Sequence, residues 1–205
     1  MTLPPTSPDR DLSRRVDALL PKRMGHFVFE SGHHGRLWLD LERLFLQPGR
    51  VRPLVEELAL RLRDRRVEAI CGPLVEGAFV GLMLASSLGV PFAYSVPVRE
   101  LEPSGLFPVS YRIPAPLLAE LRGKRVAIAN DAVNAGSAVR GTLDALHACG
   151  AEPVAIATLA VYGGAAAALA AKRGVVLESL AAFSTEIFEP ADCPLCAAHV
   201  AIDPV

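Results

Sequence analysis

Apolar positions along the chain change their spacing several times, and each change marks an element. Residues 1–24 form a polar, proline-containing lead-in with a short helix after Asp11. From His26 to Leu41 the apolar residues alternate in patches. Ser31-Gly32-His33-His34-Gly35 reads as a hairpin loop between Phe27-Val28-Phe29 and Leu37-Trp38-Leu39, because small and polar residues separate two runs of strand-forming side chains. Arg52 to Asp64 sets Val55, Leu58 and Leu62 on one face at spacings of three and four, the stripe of an amphipathic helix. Short apolar runs then alternate with helical segments. Strands are expected at Val67–Cys71, Pro91–Val98, Arg125–Ala129, Val154–Val161 and Val175–Leu180. Between them come a helix ending at Leu88, a short one after Pro116, one over Ser137–Cys149 stopped by Gly150, and an alanine-rich one over Ala165–Lys172. This alternation predicts an α/β fold with a mainly parallel sheet covered by helices on both faces. Ligands of such sheets sit beyond the carboxyl ends of the strands, which singles out the loops Gly72–Gly77 and Asn130–Ser137.

Composition narrows the class. At 205 residues, 51% hydrophobic and 21% charged, the chain can bury the core of a single domain and is not disordered. A net charge of −1 excludes nucleic-acid binding through bulk positive charge. The longest apolar stretch, Ala78 to Tyr94, is interrupted by Ser86-Ser87 and Gly89-Val90-Pro91, so it reads as buried helix, turn and strand rather than a membrane span. Met1 to Arg15 lacks the apolar core of a secretory signal, and Cys71, Cys149, Cys193 and Cys196 read as reduced thiols. The expectation is a cytoplasmic protein with no nucleic-acid or membrane partner. Only three of the 21 basic residues are lysines, Lys22, Lys124 and Lys172, so lysine-dependent chemistry has few candidates.

The segment from Arg125 to Arg140 runs apolar strand, acidic residue, small-residue loop, helix. Asn134, Ala135, Gly136 and Ser137 can wrap backbone N–H groups around an anion at a helix N-terminus. Gly136 permits close approach, and Ser137 adds a hydroxyl. Asp131 can accept hydrogen bonds from sugar hydroxyls or help to hold a metal. The bland alternative is an ordinary turn capped by Ser137.

This segment resembles the phosphoribosyl-pyrophosphate (PRPP) loop of type I phosphoribosyltransferases, which reads two acids, two mostly apolar residues, then Thr-Ala-Gly-Thr or Thr-Thr-Gly-Gly. Gly25-His-Phe-Val-Phe-Glu-Ser-Gly-His33 is similar to the hood that opens orotate phosphoribosyltransferases, and Cys71-Gly-Pro-Leu-Val-Glu-Gly77 to their pyrophosphate loop. Gly89-Val-Pro-Phe92 and Gly123-Lys-Arg-Val126 fall where the family's next strands begin, and Asp192-Cys-Pro-Leu-Cys196 resembles a tail of some members. The likeness spans roughly residues 25–196. It implies a hood over residues 1–45, an α/β core over 46–183 and a tail over 184–205. It also implies a homodimer that transfers the 5-phosphoribosyl group from PRPP to a base nitrogen, with Mg²⁺ on the pyrophosphate. Asn130, Asp131 and Asn134 to Ser137 would then hold ribose and 5′-phosphate. Gly72, Pro73, Glu76 and Gly77 would form the pyrophosphate loop, with Arg99 or Arg112 facing pyrophosphate and Ser31 and Trp38 near the base.

Several residues depart from the family pattern. Asn130 replaces the first acid of the pair, and Asn134 the usual threonine. Glu76 stands where many orotate enzymes have lysine, and Glu30 where some do. Tyr162-Gly163-Gly164 replaces an arginine-bearing segment. The mobile loop from Arg99 to Pro114 offers Arg99 and Arg112 beside Glu100 and Glu102, and no lysine. The leading reading is an orotate-like phosphoribosyltransferase with an altered base preference. Its rival is a catalytically impaired relative that binds PRPP or a nucleotide monophosphate in a regulatory role.

Cys193-Pro-Leu-Cys196, with His199 three residues on, has the spacing of half a zinc site, and four ligands are needed. The missing ligands could come from a second subunit; otherwise the tail is packed with idle thiols. A zinc-stabilised interaction module is a third reading of the chain. His33 and His34 are either ligand contacts in the hood or exposed loop residues, and Trp38 either stacks on a base or packs at a core or an interface. Cys71 and Cys149 are expected in the core.

Overall fold

The computed structural model describes residues 10–99 and 106–205. After helix α1 (Arg10–Leu19) come the hairpin strands β1 (Lys22–Val28) and β2 (His34–Leu39). Helix α2 (Pro48–Leu62) follows, with Pro48 in its first turn, where a missing N–H costs nothing. Its face Val51, Leu54, Val55, Leu58 and Leu62 is buried, as the spacing requires. The chain then winds through β3 (Ala69–Pro73), α3 (Glu76–Leu88), β4 (Phe92–Arg99), β5 (Val109–Arg112), α4 (Leu118–Leu121), β6 (Arg125–Val133), α5 (Ser137–Ala148), β7 (Glu152–Tyr162), α6 (Ala165–Arg173) and β8 (Val176–Phe183). The tail carries β9 (Ile187–Phe188) and α7 (Pro194–Ala197).

Six strands form one sheet in the order β5-β4-β3-β6-β7-β8, and β1, β2 and β9 form a second. All pairs in the large sheet are parallel except β4 with the edge strand β5. Its central strands bury both faces. Ile70, Ala127 and Ala129 pack under α1, α2 and α3, while Ala69, Cys71, Val126 and Ile128 pack against α5 and α6. This is the α/β architecture expected from the sequence. Among the described residues no helix is long and apolar enough to cross a membrane.

Two strands were not expected. β5 lies between Pro108 and Pro114, in a stretch without a clear alternating pattern, and is held by pairing with β4. β9 is two residues long and is held by β2, with His34 opposite Phe188 and Gly35 opposite Ile187. β6 also runs on to Val133, past the expected end at Ala129. Asn130, Ala132 and Val133 continue the ladder with Thr158, Ala160 and Val161, so the polar pair Asn130-Asp131 lies within the strand.

Candidate active site

At the carboxyl ends of β3 and β6 lies an open cleft of about 490 Å³. Ser31 and Trp38 of the small sheet line it from above; Pro73, Glu76 and Gly77 line one side, and Asn130, Asp131 and Asn134 to Ser137 the floor. Thus all but three of the residues singled out in the sequence for substrate binding meet in one place. Gly72 lies behind the loop, where an added Cβ would come within 2.5 Å of the Gly77 carbonyl oxygen; its role is to let the turn close. Arg112 is exposed on β5, on the opposite face from the buried Tyr111, and does not line the cleft. The third is Arg99, whose side chain lies outside the described residues although its backbone ends β4. Glu100 and Glu102 also lie outside the described residues.

The loop after β6 leads into the N-terminus of α5 on the floor of the cleft. Gly136 is the N-cap of α5 at φ 82°, a left-handed conformation that suits glycine. Ser137 does not cap the helix, as the bland reading had it. Its hydroxyl donates instead to Glu30 Oε1 at 2.7 Å, and the Tyr111 hydroxyl meets the same carboxylate at 3.1 Å. Burial, and then the Glu30 charge, push the Tyr111 phenol above its ordinary range, so it stays a donor.

Asp131 is buried. The Ala132 N–H donates to its Oδ1 at 2.7 Å, whereas Oδ2 has no partner. Loss of hydration pushes its carboxyl up to about 7, with the negative charge of Glu76 adding to the shift and the Ala132 hydrogen bond opposing it. Asn130 has a different task. Its Nδ2 donates to the Ala132 carbonyl at 2.9 Å, which a carboxylate could not do. Its Oδ1 occupies the space that a side chain at Gly77 would need. The departure from the acidic pair therefore gives a bond within β6 and packs Asn130 against the turn at Gly77.

Comparison with known proteins identifies the family. The model of the phosphoribosyl transferase domain matches residues 50–187. The chain belongs to the phosphoribosyltransferase family. It is 28% identical to an orotate phosphoribosyltransferase of Desulforamulus reducens, with 91% of this chain and 88% of the relative covered. It is 30% identical to one of a Sulfurovum species, with 84% and 86% covered. The solved orotate phosphoribosyltransferase of Aeropyrum pernix superposes with a TM-score of 0.60 at 24% identity, over 83% of this chain and 93% of that one, which bears on the fold alone.

A second cleft of this phosphoribosyltransferase, about 650 Å³, shares Ala135 with the first and is lined by His33, Phe107, Arg140, Tyr162 to Gly164 and Lys172, among others. Arg140 lays its guanidinium 4.2 Å from the Phe107 ring centroid and leaves its buried Nε unpartnered. The sequence did not single out Arg140, because it sits on the first turns of α5 among core positions. Trp38 stacks at 13° on Phe29 while lining the first cleft, so it is both a packed residue and a wall of the site. His33 bonds Ser31 Oγ at 3.0 Å. His34, by contrast, is buried and turned away toward Cys196. Cys71 and Cys149 are core residues as expected, and burial pushes the Cys71 thiol up to about 12.

Proposed function

We propose that this phosphoribosyltransferase transfers the 5-phosphoribosyl group from PRPP to a base of the orotate class, as the names of its relatives indicate. One observation carries the reading: buried Asp131, whose Oδ2 has no partner, lines the same cleft as Asn134 to Ser137. An acceptor beside an anion cradle matches a sugar phosphate, whose hydroxyls need an acceptor and whose phosphate needs donors. In the reaction the bond from C1′ to pyrophosphate breaks and a bond from C1′ to the base nitrogen forms. Positioning and neutralisation of the departing charge supply the catalysis.

Asp131 holds the ribose hydroxyls, and the backbone N–H groups of Asn134 to Ser137 hold the 5′-phosphate. The loop Pro73 to Gly77 faces pyrophosphate. Mg²⁺ fits this cleft, since the free Asp131 Oδ2 and the Glu76 carboxylate are hard oxygen donors; bound there it would offset pyrophosphate charge. The base occupies the second cleft, against Tyr162-Gly163-Gly164 under the hood, where Arg140 and Lys172 suit an anionic ring substituent. A single catalytic unit made of hood, core and tail, a homodimer and a cytoplasmic location belong to the same reading, on the pattern the family resemblance implies.

Relatives matched over about nine-tenths of their length support turnover over a regulatory binding role. Calorimetric titration with PRPP and Mg²⁺, followed by pyrophosphate release with orotate and a panel of bases, tests the proposal. Release with orotate is expected. Binding without release for every base would overturn it.

A further inference from the structure

Cys193 and Cys196 find their missing partners within the chain. His26 lies where β1 is bulged, between the ladder pairs of Met24 and Phe27, and His34 opens β2. The bulge brings both imidazoles to one side of the hairpin, against Cys193 at the N-cap of α7 and Cys196 within it. His26 Nε2, His34 Nδ1 and the two Sγ atoms all lie within 4.8 Å of one another. His26 Nε2 is 3.6 Å from Cys193 Sγ and 3.7 Å from Cys196 Sγ, and His34 Nδ1 is 3.3 Å from Cys196 Sγ. A tetrahedral zinc with bonds of about 2.3 Å to sulfur and 2.0–2.1 Å to nitrogen sets its donors roughly 3.3–3.8 Å apart. The three sulfur–nitrogen distances have that size, whereas His26 Nε2 and His34 Nδ1 stand 2.9 Å apart, in hydrogen-bond contact, and must part by a few tenths of an ångström to admit the ion.

The supporting contacts agree. His26 Nδ1 lies 2.8 Å from the Val200 carbonyl oxygen. A carbonyl can only accept, so Nδ1 carries the proton and Nε2 presents its lone pair to the cluster, the arrangement in which metal-bound histidines are usually held. Two thiolates and two imidazoles are the donor set that suits zinc. Four protein donors leave no open position, so the site is structural.

The location supplies a purpose. His34 and Cys196 are 162 positions apart in sequence, and the tail is otherwise lightly held. Its α7 has four residues, of which Leu195 is buried, and β9 contributes two residues to the hood sheet. Further ties are hydrogen bonds between Asp203 and His26 through both main-chain and side-chain groups, bonds from Arg23 to the Pro204 carbonyl, and an exposed Arg36–Glu186 ion pair. The same hairpin carries Glu30, Ser31 and Trp38 to the cleft.

We propose that His26, His34, Cys193 and Cys196 bind one structural zinc ion that staples the C-terminal tail to the hood hairpin. The site draws its ligands from a single chain, and His199 is not among them. The proposal does not depend on which base the enzyme uses.

Metal analysis of the full chain, purified without an affinity tag that binds metal, should give one zinc per chain. Replacement by Co²⁺ should produce the intense visible bands of tetrahedral cobalt together with a thiolate charge-transfer band. Chelation should lower the melting temperature, with recovery on adding Zn²⁺ but not Mg²⁺. Cys196→Ser and His34→Ala should lose the metal, while His199→Ala keeps it. Should the serine or alanine variants fail to fold, the wild-type chain still decides: zinc must slow alkylation of Cys196 at least tenfold relative to the chelated protein. Substoichiometric metal, a six-coordinate cobalt spectrum, loss of metal in His199→Ala alone, or equal alkylation with and without zinc would each overturn the assignment.

Discussion

The Ser137 hydroxyl donates to Glu30 Oε1 at 2.7 Å, so a hood carboxylate already holds a donor at the start of α5, where a 5′-phosphate would bind. An incoming phosphate must displace that bond and meet the Glu30 charge. Two unit charges a few ångströms apart at a protein surface repel by about 1 kcal/mol or more. Glu30→Gln removes the charge and leaves a group that Ser137 and Tyr111 can still bond. Calorimetry should show PRPP binding about five- to tenfold more tightly to this variant; an unchanged affinity would mean that the hood moves Glu30 clear of the phosphate.

Asp131 lies at the opposite end of the cradle's electrostatics. Its carboxyl is pushed up to about 7, above the ordinary value of about 3.9, so the folded protein holds this proton more tightly than the unfolded chain. Stability from this group is therefore full below about pH 4 and declines as pH rises toward 7. Asp131→Asn keeps an acceptor for the Ala132 N–H and removes the charge, so it should raise stability by on the order of 1 kcal/mol at pH 8, with no gain near pH 4. Turnover should fall by at least a hundredfold. In the wild type, PRPP affinity should rise between pH 6 and 8 and then level, because sugar hydroxyls bond the ionised form better. Denaturant melts of both proteins at the two pH values and calorimetry across that range check the sign of each effect.

Glu76 serves the helix and, on the proposed reading, opposes the ligand. It stands in the first turn of α3, where negative charge is favoured by roughly 0.3–1 kcal/mol, and it also lines the cleft. Glu76→Lys should therefore lower stability by about that amount while tightening PRPP several-fold. Affinity that does not rise would show that Glu76 points away from the pyrophosphate.

The α/β fold was legible because the central strands are short apolar runs separated by helices with regular stripes, as at Val55, Leu58 and Leu62. That Asn134 to Ser137 would sit together at the cleft was legible because they are contiguous and follow a strand. What escaped were relations between residues far apart in sequence. Glu30 and Ser137 meet only when the hood closes over α5. His26 and His34 join Cys193 and Cys196 only through a bulge and a two-residue strand, neither of which leaves a pattern in the chain. Arg112 was selected for its charge, yet alternation along β5 puts Tyr111 toward the cleft and turns Arg112 away. Asn130 read as a lost acid; its bond to the Ala132 carbonyl at 2.9 Å is a gain that only the strand geometry reveals.

On the proposed reading, Arg140 meets the base in the second cleft. Its guanidinium lies over the Phe107 ring, its Nε has no partner, and the cleft it lines also holds Lys172. A buried donor without an acceptor costs stability until a ligand supplies one. An anionic base would supply it, and a charge-assisted bond of that kind is worth about 1.5–3 kcal/mol. Arg140→Met keeps the apolar stem over Phe107 and removes the donor. Its KM for orotate should rise by about ten- to a hundredfold, while PRPP affinity stays within twofold because Arg140 does not line the first cleft. Initial rates at saturating PRPP with varied orotate, set beside PRPP titrations of the same variant, separate the two effects; a parallel loss of both affinities would place the base elsewhere.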